Sequence, residues 1–273
     1  MFSAGLGRRR FLAGLATLAA APAAARPDFI LVQASTSLEN SGFFDHLLPQ
    51  FTAETGIAVR VVAVGTGQAI RNAANGDGDV LFVHDRGAEE AFVAAGFGTQ
   101  RYDVMHNDFV LVGPEADPAG IGGGQDAATA LAAIAAAGAR FASRGDDSGT
   151  HKAERRLWSR GVPAGARWYL ETGAGMGATL NTAIGMGAYT LTDRATWTRF
   201  GNRAGFRILV AGDPRLFNQY GIVPVNPARH PHIRADLVRI FVDWLLSPRG
   251  QAAIAGFRVA GEQLFFPNAG GSD

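Results

Sequence analysis

The sequence contains no cysteine in 273 residues and almost no lysine: Lys152 is the single lysine, and every other basic residue is arginine. The absence of cysteine excludes a disulfide framework, a thiolate metal site and a cysteine nucleophile. Carboxylates and histidines are not gathered at ligand spacing either, which argues against a site for a metal cation. We therefore expect neither a bound metal cation nor a cofactor.

Charged residues are also scarce, at 18% of the chain, whereas 47% of the residues are hydrophobic. This balance excludes a disordered polyelectrolyte and provides for a sizeable core. Residues 1–25 contain three arginines and no acidic residue, so loss of that segment changes the net charge from +1 to −2. A near-neutral, slightly acidic protein of this kind is not expected to bind nucleic acid.

The N-terminal segment has the pattern of an export signal. Residues 7–13, Gly-Arg-Arg-Arg-Phe-Leu-Ala, have the form of a twin-arginine motif, and an alanine-rich apolar stretch follows. Residues 23–25 then give an Ala-x-Ala cleavage pattern before Arg26. We predict that residues 1–25 are a signal peptide and that the mature protein is periplasmic. An uncleaved anchor is the alternative, although the apolar stretch is short for a membrane span.

From Asp28 onwards, short apolar runs alternate with stretches of helical periodicity. Repeated strand–loop–helix units predict an α/β fold with parallel, doubly wound sheets. A glycine-rich segment, 113–124, predicts a crossover into a second series of such units. We therefore predict two lobes, one formed by residues 26–112 with 213–273 and the other by the inserted residues 113–212. A cleft between two such lobes is the natural ligand site.

Three segments beside predicted strands or helices supply hydroxyls or free backbone amides. Ser35-Thr36-Ser37 is predicted to lie in a loop after the first strand, where hydroxyls can donate to an anion. Thr66 lies in a Gly-Thr-Gly segment that opens a helix, and Gly177 lies in a glycine-rich segment before another helix. Free amides at a helix N-terminus form a ready anion site. A further segment, 84–86 (His-Asp-Arg), also follows a strand and could line the cleft.

The richest segment is 143–151, which follows a predicted strand and opens a helix. Arg144 brings a permanent fork-shaped donor for an oxyanion. Ser148 and Thr150 add hydroxyls, and the amide of Gly149 lies at the positive end of the helix. Asp146 is placed to pair with Arg144 and hold it. One fixed positive charge among neutral donors suits a compact dianion.

These segments resemble those of the tungstate-binding proteins of ABC importers, the TupA-like group of periplasmic binding proteins. The similarity covers the mature chain and is most specific at residues 143–152 and 261–268. It implies a type II periplasmic-binding fold, with tungstate or molybdate as the ligand and the membrane permease and ATPase of an importer as partners; we expect a monomer. Matching positions imply that the oxyanion is contacted by Ser35, Thr36, Ser37, Arg144, Ser148 and Thr150. Thr66, Gly149 and Gly177 complete the predicted site.

One departure from the family concerns the first of these segments. The family usually carries a run of threonines there, whereas this chain has Ala34 and Ser35. One hydroxyl is lost and another is shortened. The sequence does not separate tungstate from molybdate, because the two anions have the same charge and shape and nearly the same size.

Two alternatives stay open. A phosphate- or sulfate-binding protein is the first, because the Arg-x-Asp-x-Ser-Gly-Thr spacing of residues 144–150 also resembles that of phosphate binders. Phosphate carries protons near neutral pH and favours a carboxylate acceptor, whereas tungstate and molybdate carry none. The orientation of Asp146 and Asp147 therefore discriminates between phosphate and these two anions. A serine hydrolase is the second alternative, because Ser148 lies near His151. The glycine pattern of a nucleophile turn is missing, however, so we predict a binding protein and not an enzyme.

Overall fold

The computed structural model describes Met1 and residues 28–270, so residues 2–25 of the predicted export signal lie outside the described residues. None of the helices described is both long and apolar enough to cross a bilayer. The strands are β1 (Phe29–Ser35), β2 (Ala58–Val64), β3 (Val80–Val83), β4 (Tyr102–Pro114), β5 (Phe141–Ser143), β6 (Tyr169–Glu171), β7 (Thr190–Asp193), β8 (Phe206–Val210), β9 (Phe217–Pro224), β10 (Arg258–Val259), β11 (Glu262–Gln263) and β12 (Phe266–Pro267). The α-helices are α1 (Thr36–Asn40), α2 (Phe43–Thr55), α3 (Thr66–Asn75), α4 (Arg86–Ala94), α5 (Ala127–Ala137), α6 (Gly149–Leu157), α7 (Met176–Met186), α8 (Arg194–Arg199), α9 (Ala235–Leu246) and α10 (Pro248–Gly256).

A mixed sheet with the strand order β12-β4-β9-β3-β1-β2 organises the first lobe. β1 pairs in parallel with β2 and β3, as the alternating pattern predicted. β9 runs antiparallel to β3 and to β4, so the sheet is not parallel throughout. The antiparallel pairing arises because the chain leaves this sheet along β4 and returns to it along β9. Two adjacent strands of opposite direction can pair directly.

Strand β4 is shared between the two halves of the molecule. Residues 102–108 pair with β9, whereas residues 109–114 pair with β7 and β8. β5 and β6 form a parallel pair that connects to this second group through a bridge between Phe141 and Tyr189. The sequence predicted a strand only at 109–112, because polar residues such as His106 and Asn107 break the apolar run before it. Those residues are strand because β9 and β12 pair with them on either side.

Each lobe has its own aromatic core. In the first, Phe43 packs edge-on against Phe257 and Phe265, and all three rings are buried. In the other lobe, Phe141 stacks with Tyr169 and meets Trp158 edge-on. Burial of each such side chain contributes about 1.5–3 kcal/mol, so each lobe has apolar contacts of its own to support it.

The prediction of a loop over residues 34–41 was wrong, because helix α1 occupies most of this segment. Ser35 ends β1 and caps the helix, since its Oγ accepts a hydrogen bond from the Leu38 N–H at 3.4 Å. The helix is five residues long, too short to show a 3.6-residue apolar period, which explains why the sequence pattern missed it.

Glu154 provides a prediction about stability. It lies on α6, and its carboxylate accepts hydrogen bonds from Trp158 Nε1 (3.0 Å) and the Tyr169 hydroxyl (2.7 Å). Burial raises the pKa of Glu154 above its usual value. The folded state therefore binds this proton more tightly than the unfolded chain, and the free energy of unfolding falls as pH rises through the raised pKa. Glu154→Gln keeps both acceptor bonds and removes the buried charge.

We expect Glu154→Gln to unfold at a higher temperature than the wild type near pH 8 and at the same temperature at acid pH, where Glu154 is protonated. Each kcal/mol of relieved cost raises Tm by about 2–4 °C in a chain of this size. Glu171→Gln, at an exposed position on β6, is the matched control and should leave Tm unchanged. A gain for Glu154→Gln of equal size at every pH would contradict the titration argument.

Candidate functional site

Four helix N-termini meet between the two lobes. Helices α1 and α3 begin at the carboxyl ends of β1 and β2, where Ser35 pairs with Val64. Helices α6 and α7 follow β5 and β6, which are also parallel neighbours. The two groups touch, because the Gly149 N–H donates to Thr66 Oγ1 (3.4 Å) and α1 contacts α7. The positive ends of four helix dipoles therefore face one region of the molecule.

The hydroxyls of the first segment are held at the start of α1. Ser35 is buried and accepts the cap hydrogen bond, which leaves its own proton available for donation. Ser37 is also buried, and its Oγ has no hydrogen-bond partner among the described residues. Thr36 is partly buried. A buried hydroxyl without a partner is costly, so Ser37 marks a place where a ligand oxygen would be stabilising.

Arg144 is fixed by its neighbours at the centre of the region. Its side chain is 2% exposed, Nη2 donates to Asp146 Oδ2, and Nε donates to the Ala174 carbonyl oxygen at 3.3 Å. The pairing of Arg144 with Asp146, predicted from their spacing, is confirmed. Asp146 also accepts from the Ser148 N–H through Oδ1 at 3.2 Å. Both oxygens of Asp146 are thus engaged within the loop.

The start of α6 adds further donors. Ser148 caps the helix by accepting from the His151 N–H at 3.3 Å. Thr150 is buried, and its Oγ1 has no hydrogen-bond partner among the described residues. Gly149 packs so closely that a Cβ there would lie 2.8 Å from Cε1 of His84. Thr66, at the start of α3, is buried against this same turn.

The start of α7 is tied to the arginine loop and contributes backbone amides. Gly175 caps the helix without a side-chain hydrogen bond. Thr172 Oγ1 donates to the Arg144 carbonyl oxygen (3.3 Å) and lies 2.8 Å from Thr179 Oγ1. Gly177, in the first turn, is partly buried, with open space around its α-carbon. The structure therefore places eight of the nine predicted positions at the starts of four neighbouring helices, and the ninth, Arg144, in the loop before α6.

Behind these donors lies a chain of buried, hydrogen-bonded side chains that the sequence predicted only in part. His84 Nδ1 lies 2.9 Å from Asn218 Oδ1, and Asn218 Nδ2 donates to Asn107 Oδ1 at 2.7 Å. The His84 ring also stacks on Tyr220. Burial, helped by the nearby charge of Arg144 and opposed by the hydrogen bond with Asn218, lowers the pKa of His84 to about 4, so the ring is neutral at neutral pH. The sequence placed His84 near the cleft, but the two asparagines carry no local signal of their role.

Asp193 is a buried carboxyl that sequence reasoning missed. It ends β7 and caps α8, accepting from the Thr196 N–H at 2.8 Å. Burial raises its pKa, although the charge of Arg144 opposes the shift. Its other oxygen, Oδ2, has no hydrogen-bond partner among the described residues. An aspartate between a strand and a helix is an N-cap signal, but nothing in the sequence places it near Arg144.

Comparison with known proteins identifies the family. Residues 19–249 match the model of the PBP superfamily domain. The tungstate-binding protein TupA of Peptoclostridium acidaminophilum is 46% identical over 245 residues, which are 88% of this chain and 86% of that protein. The chain belongs to the TupA family. The resemblance seen in the sequence is thereby confirmed.

Solved structures of two relatives show the same fold as this TupA-family chain. The tungstate-binding protein TupA from Desulfovibrio alaskensis is 48% identical, with a TM-score of 0.76, and the match covers 89% of this chain and 99% of that one. A protein described as the tungstate ABC transporter from Geobacter sulfurreducens is 46% identical, with a TM-score of 0.78, covering 84% and 98%. The predicted α/β fold of a two-lobed periplasmic binding protein is confirmed.

Proposed function

We propose that the protein captures tungstate, or molybdate, outside the cytoplasm and delivers it to the membrane permease and ATPase of an ABC importer. The observation that carries this proposal is the meeting of four helix N-termini and one buried arginine between two lobes. Its relatives are described as tungstate-binding, and one belongs to an ABC transporter. We further propose that residues 26–112 with 213–273, and residues 113–212, are lobes that close around the anion.

The donor chemistry suits a tetrahedral dianion without protons. Such an anion offers only acceptors, so it is best held by hydroxyls, amides and a guanidinium. The proposed ligands are of these three kinds: Ser35, Thr36, Ser37, Thr66, Ser148 and Thr150; Gly149 and Gly177; and Arg144. Contacts from both lobes favour the closed arrangement, because only that arrangement satisfies every oxygen of the anion.

The carboxylates near the site bear on the choice between this ligand and phosphate. Both oxygens of Asp146 already accept a hydrogen bond, one from Arg144 and one from the Ser148 N–H, which directs this carboxylate toward its own loop. The side chain of Asp147 is 63% exposed and lies 3.8 Å from Lys152. Asp193 is the observation that favours phosphate, because its Oδ2 is buried without a partner near Arg144. Phosphate is therefore the second candidate and is included in the binding test.

The geometry does not favour the hydrolase alternative. Ser148 Oγ serves as the cap of α6, and His151 Nδ1 accepts from the Asp147 N–H at 3.1 Å. No hydrogen bond joins the His151 ring to Ser148 Oγ among the described residues. A nucleophile and its base need such a bond, so we do not propose hydrolysis.

Isothermal titration of the protein from Arg26 with tungstate, molybdate, sulfate and phosphate tests the proposal. We expect tight one-to-one binding of tungstate, with molybdate alike in charge and shape and sulfate and phosphate far weaker. If only phosphate gave a binding signal, phosphate would be the ligand in place of tungstate, and Asp193 would be the candidate acceptor of its proton. Absence of heat with all four anions would overturn the proposed function.

Two buried serines close together in the sequence, Ser37 and Ser41, allow an effect on anion affinity to be distinguished from an effect on stability. We expect Ser37→Ala to weaken tungstate binding by about 5- to 150-fold, since a buried donor is worth about 1–3 kcal/mol. It should leave Tm of the ligand-free protein unchanged, because Ser37 Oγ has no partner to lose among the described residues.

Ser41→Ala is the matched control with the opposite pattern. Its Oγ donates to the Leu38 carbonyl oxygen (2.6 Å) and accepts from the Phe43 N–H (3.2 Å), so its loss should lower Tm with little direct effect on affinity. Titration and thermal unfolding of both variants give the comparison. Equal losses of affinity in the two variants would remove Ser37 from the proposed ligands.

A further inference from the structure

An ion pair joins the two lobes beside the proposed anion site. Lys152 Nζ lies 3.0 Å from Asp85 Oδ2, with side-chain exposures of 26% and 9%. Lys152 is on α6 in the inserted lobe, and Asp85 follows β3 in the other lobe. The distance between these charges therefore depends on how closely the lobes approach each other. None of the sequence motifs predicted this contact.

The position of Lys152 is unfavourable for its own helix. It lies in the first turn of α6, where the helix dipole repels a cation. It is also the single lysine in a chain that otherwise uses arginine. A cation at this place needs compensation, and Asp85 supplies it from across the cleft; Asp147, at 3.8 Å, is the more distant partner.

Asp85 is held ready to receive the lysine. Its Oδ1 caps α4 by accepting from the Ala88 N–H at 3.3 Å, and its own N–H donates to Glu89 Oε1 at 2.8 Å. Glu89 is fully buried and bound to Arg101 Nε at 2.6 Å. The carboxylate of Asp85 is thus fixed to its lobe, and little side-chain entropy is lost when the ion pair forms.

We propose that Lys152 and Asp85 form a clasp between the lobes that holds the closed state and slows release of the anion. The two residues act as positioning residues: the clasp keeps the start of α6, with Gly149 and Thr150, against the other lobe. The effect on anion release rests on the proposed function, whereas the clasp itself can be tested without any ligand.

The single lysine permits a direct test of the clasp by NMR. Lysine labelled with ¹³C and ¹⁵N gives one side-chain signal from the protein starting at Arg26, and an ion-paired ammonium exchanges its protons slowly enough to be seen. Asp85→Asn removes the charge and keeps the helix cap, since asparagine caps as well as aspartate. We expect the ammonium signal to disappear in Asp85→Asn and to persist in Arg155→Gln, which removes a charge from an exposed position on α6. A signal indifferent to Asp85→Asn overturns the clasp.

Release of the anion is measured by stopped-flow displacement of tungstate. We expect Asp85→Asn and Lys152→Gln each to raise the dissociation rate roughly threefold to tenfold, an effect between those typical of exposed and of buried ion pairs. The double variant should release tungstate no faster than either single variant, because both substitutions remove the same contact. Arg155→Gln should release tungstate at the wild-type rate. Additive effects in the double variant, or an equal effect of Arg155→Gln, would show that the pair does not control release, even where tungstate binding itself is intact.

Discussion

Arg144→Ala should weaken tungstate binding by at least about 100-fold while the protein still folds. Loss of one member of a buried, hydrogen-bonded charge pair costs about 2–5 kcal/mol, and here the lost member is also the proposed counter-ion of a dianion. Asp146 then adds an uncompensated negative charge beside the anion. Titration with tungstate measures the loss, and circular dichroism confirms the fold.

Two further variants make the result specific. Arg144→Lys keeps the charge but loses the planar fork, so we expect an affinity between those of the wild type and Arg144→Ala. Arg140→Ala removes an exposed arginine whose Nη1 donates to the Met186 carbonyl oxygen (2.8 Å), and it should bind tungstate as the wild type does. Near-native affinity in Arg144→Ala would move the proposed site elsewhere.

Gly149→Ala tests whether close contact between the lobes is needed. A Cβ at this position would lie 2.8 Å from Cε1 and 3.0 Å from Nδ1 of His84. The ring cannot move aside easily, because it is buried, stacked on Tyr220 and bonded to Asn218. Overpacking of this kind costs about 1–3 kcal/mol, so we expect the affinity for tungstate to fall by roughly 5- to 150-fold.

Gly185→Ala is the matched control for this substitution. Gly185 is an exposed helical glycine in the last turns of α7, and a Cβ there would meet no atom within 4 Å. It is not one of the proposed ligands, so affinity should be unchanged. If both alanine variants bound tungstate equally well, contact between His84 and Gly149 would have no part in closure.

The local elements were largely predictable from the sequence. Residues 176–186 were predicted as a helix and form α7 with the same bounds, because a glycine ends the periodic pattern on each side. Arg144 and Asp146 are two residues apart, so their pairing could be predicted from one loop. The family could be named for the same reason, since its motifs are short continuous segments.

The long-range contacts were not predictable in this way. Asn107 and Asn218 meet because β4 and β9 pair in one register, and a shift of either strand by one residue would turn its asparagine to the other face. Asp193 approaches Arg144 only because β7 and β5 belong to the same group of strands. The first half of β4 was missed because its partners, rather than its own residues, make it a strand.

The sequence by itself therefore determined the family, most helices and strands, and the kinds of donor that could hold an anion. It did so because capping, apolar periodicity and motif spacing are properties of neighbouring residues. Only the tertiary structure decided that Thr66 meets Gly149, that His84 supports the same turn, and that Lys152 reaches Asp85. Each of these contacts joins residues far apart in the sequence, and their distances are set by strand pairing and by tertiary packing, which no local pattern encodes.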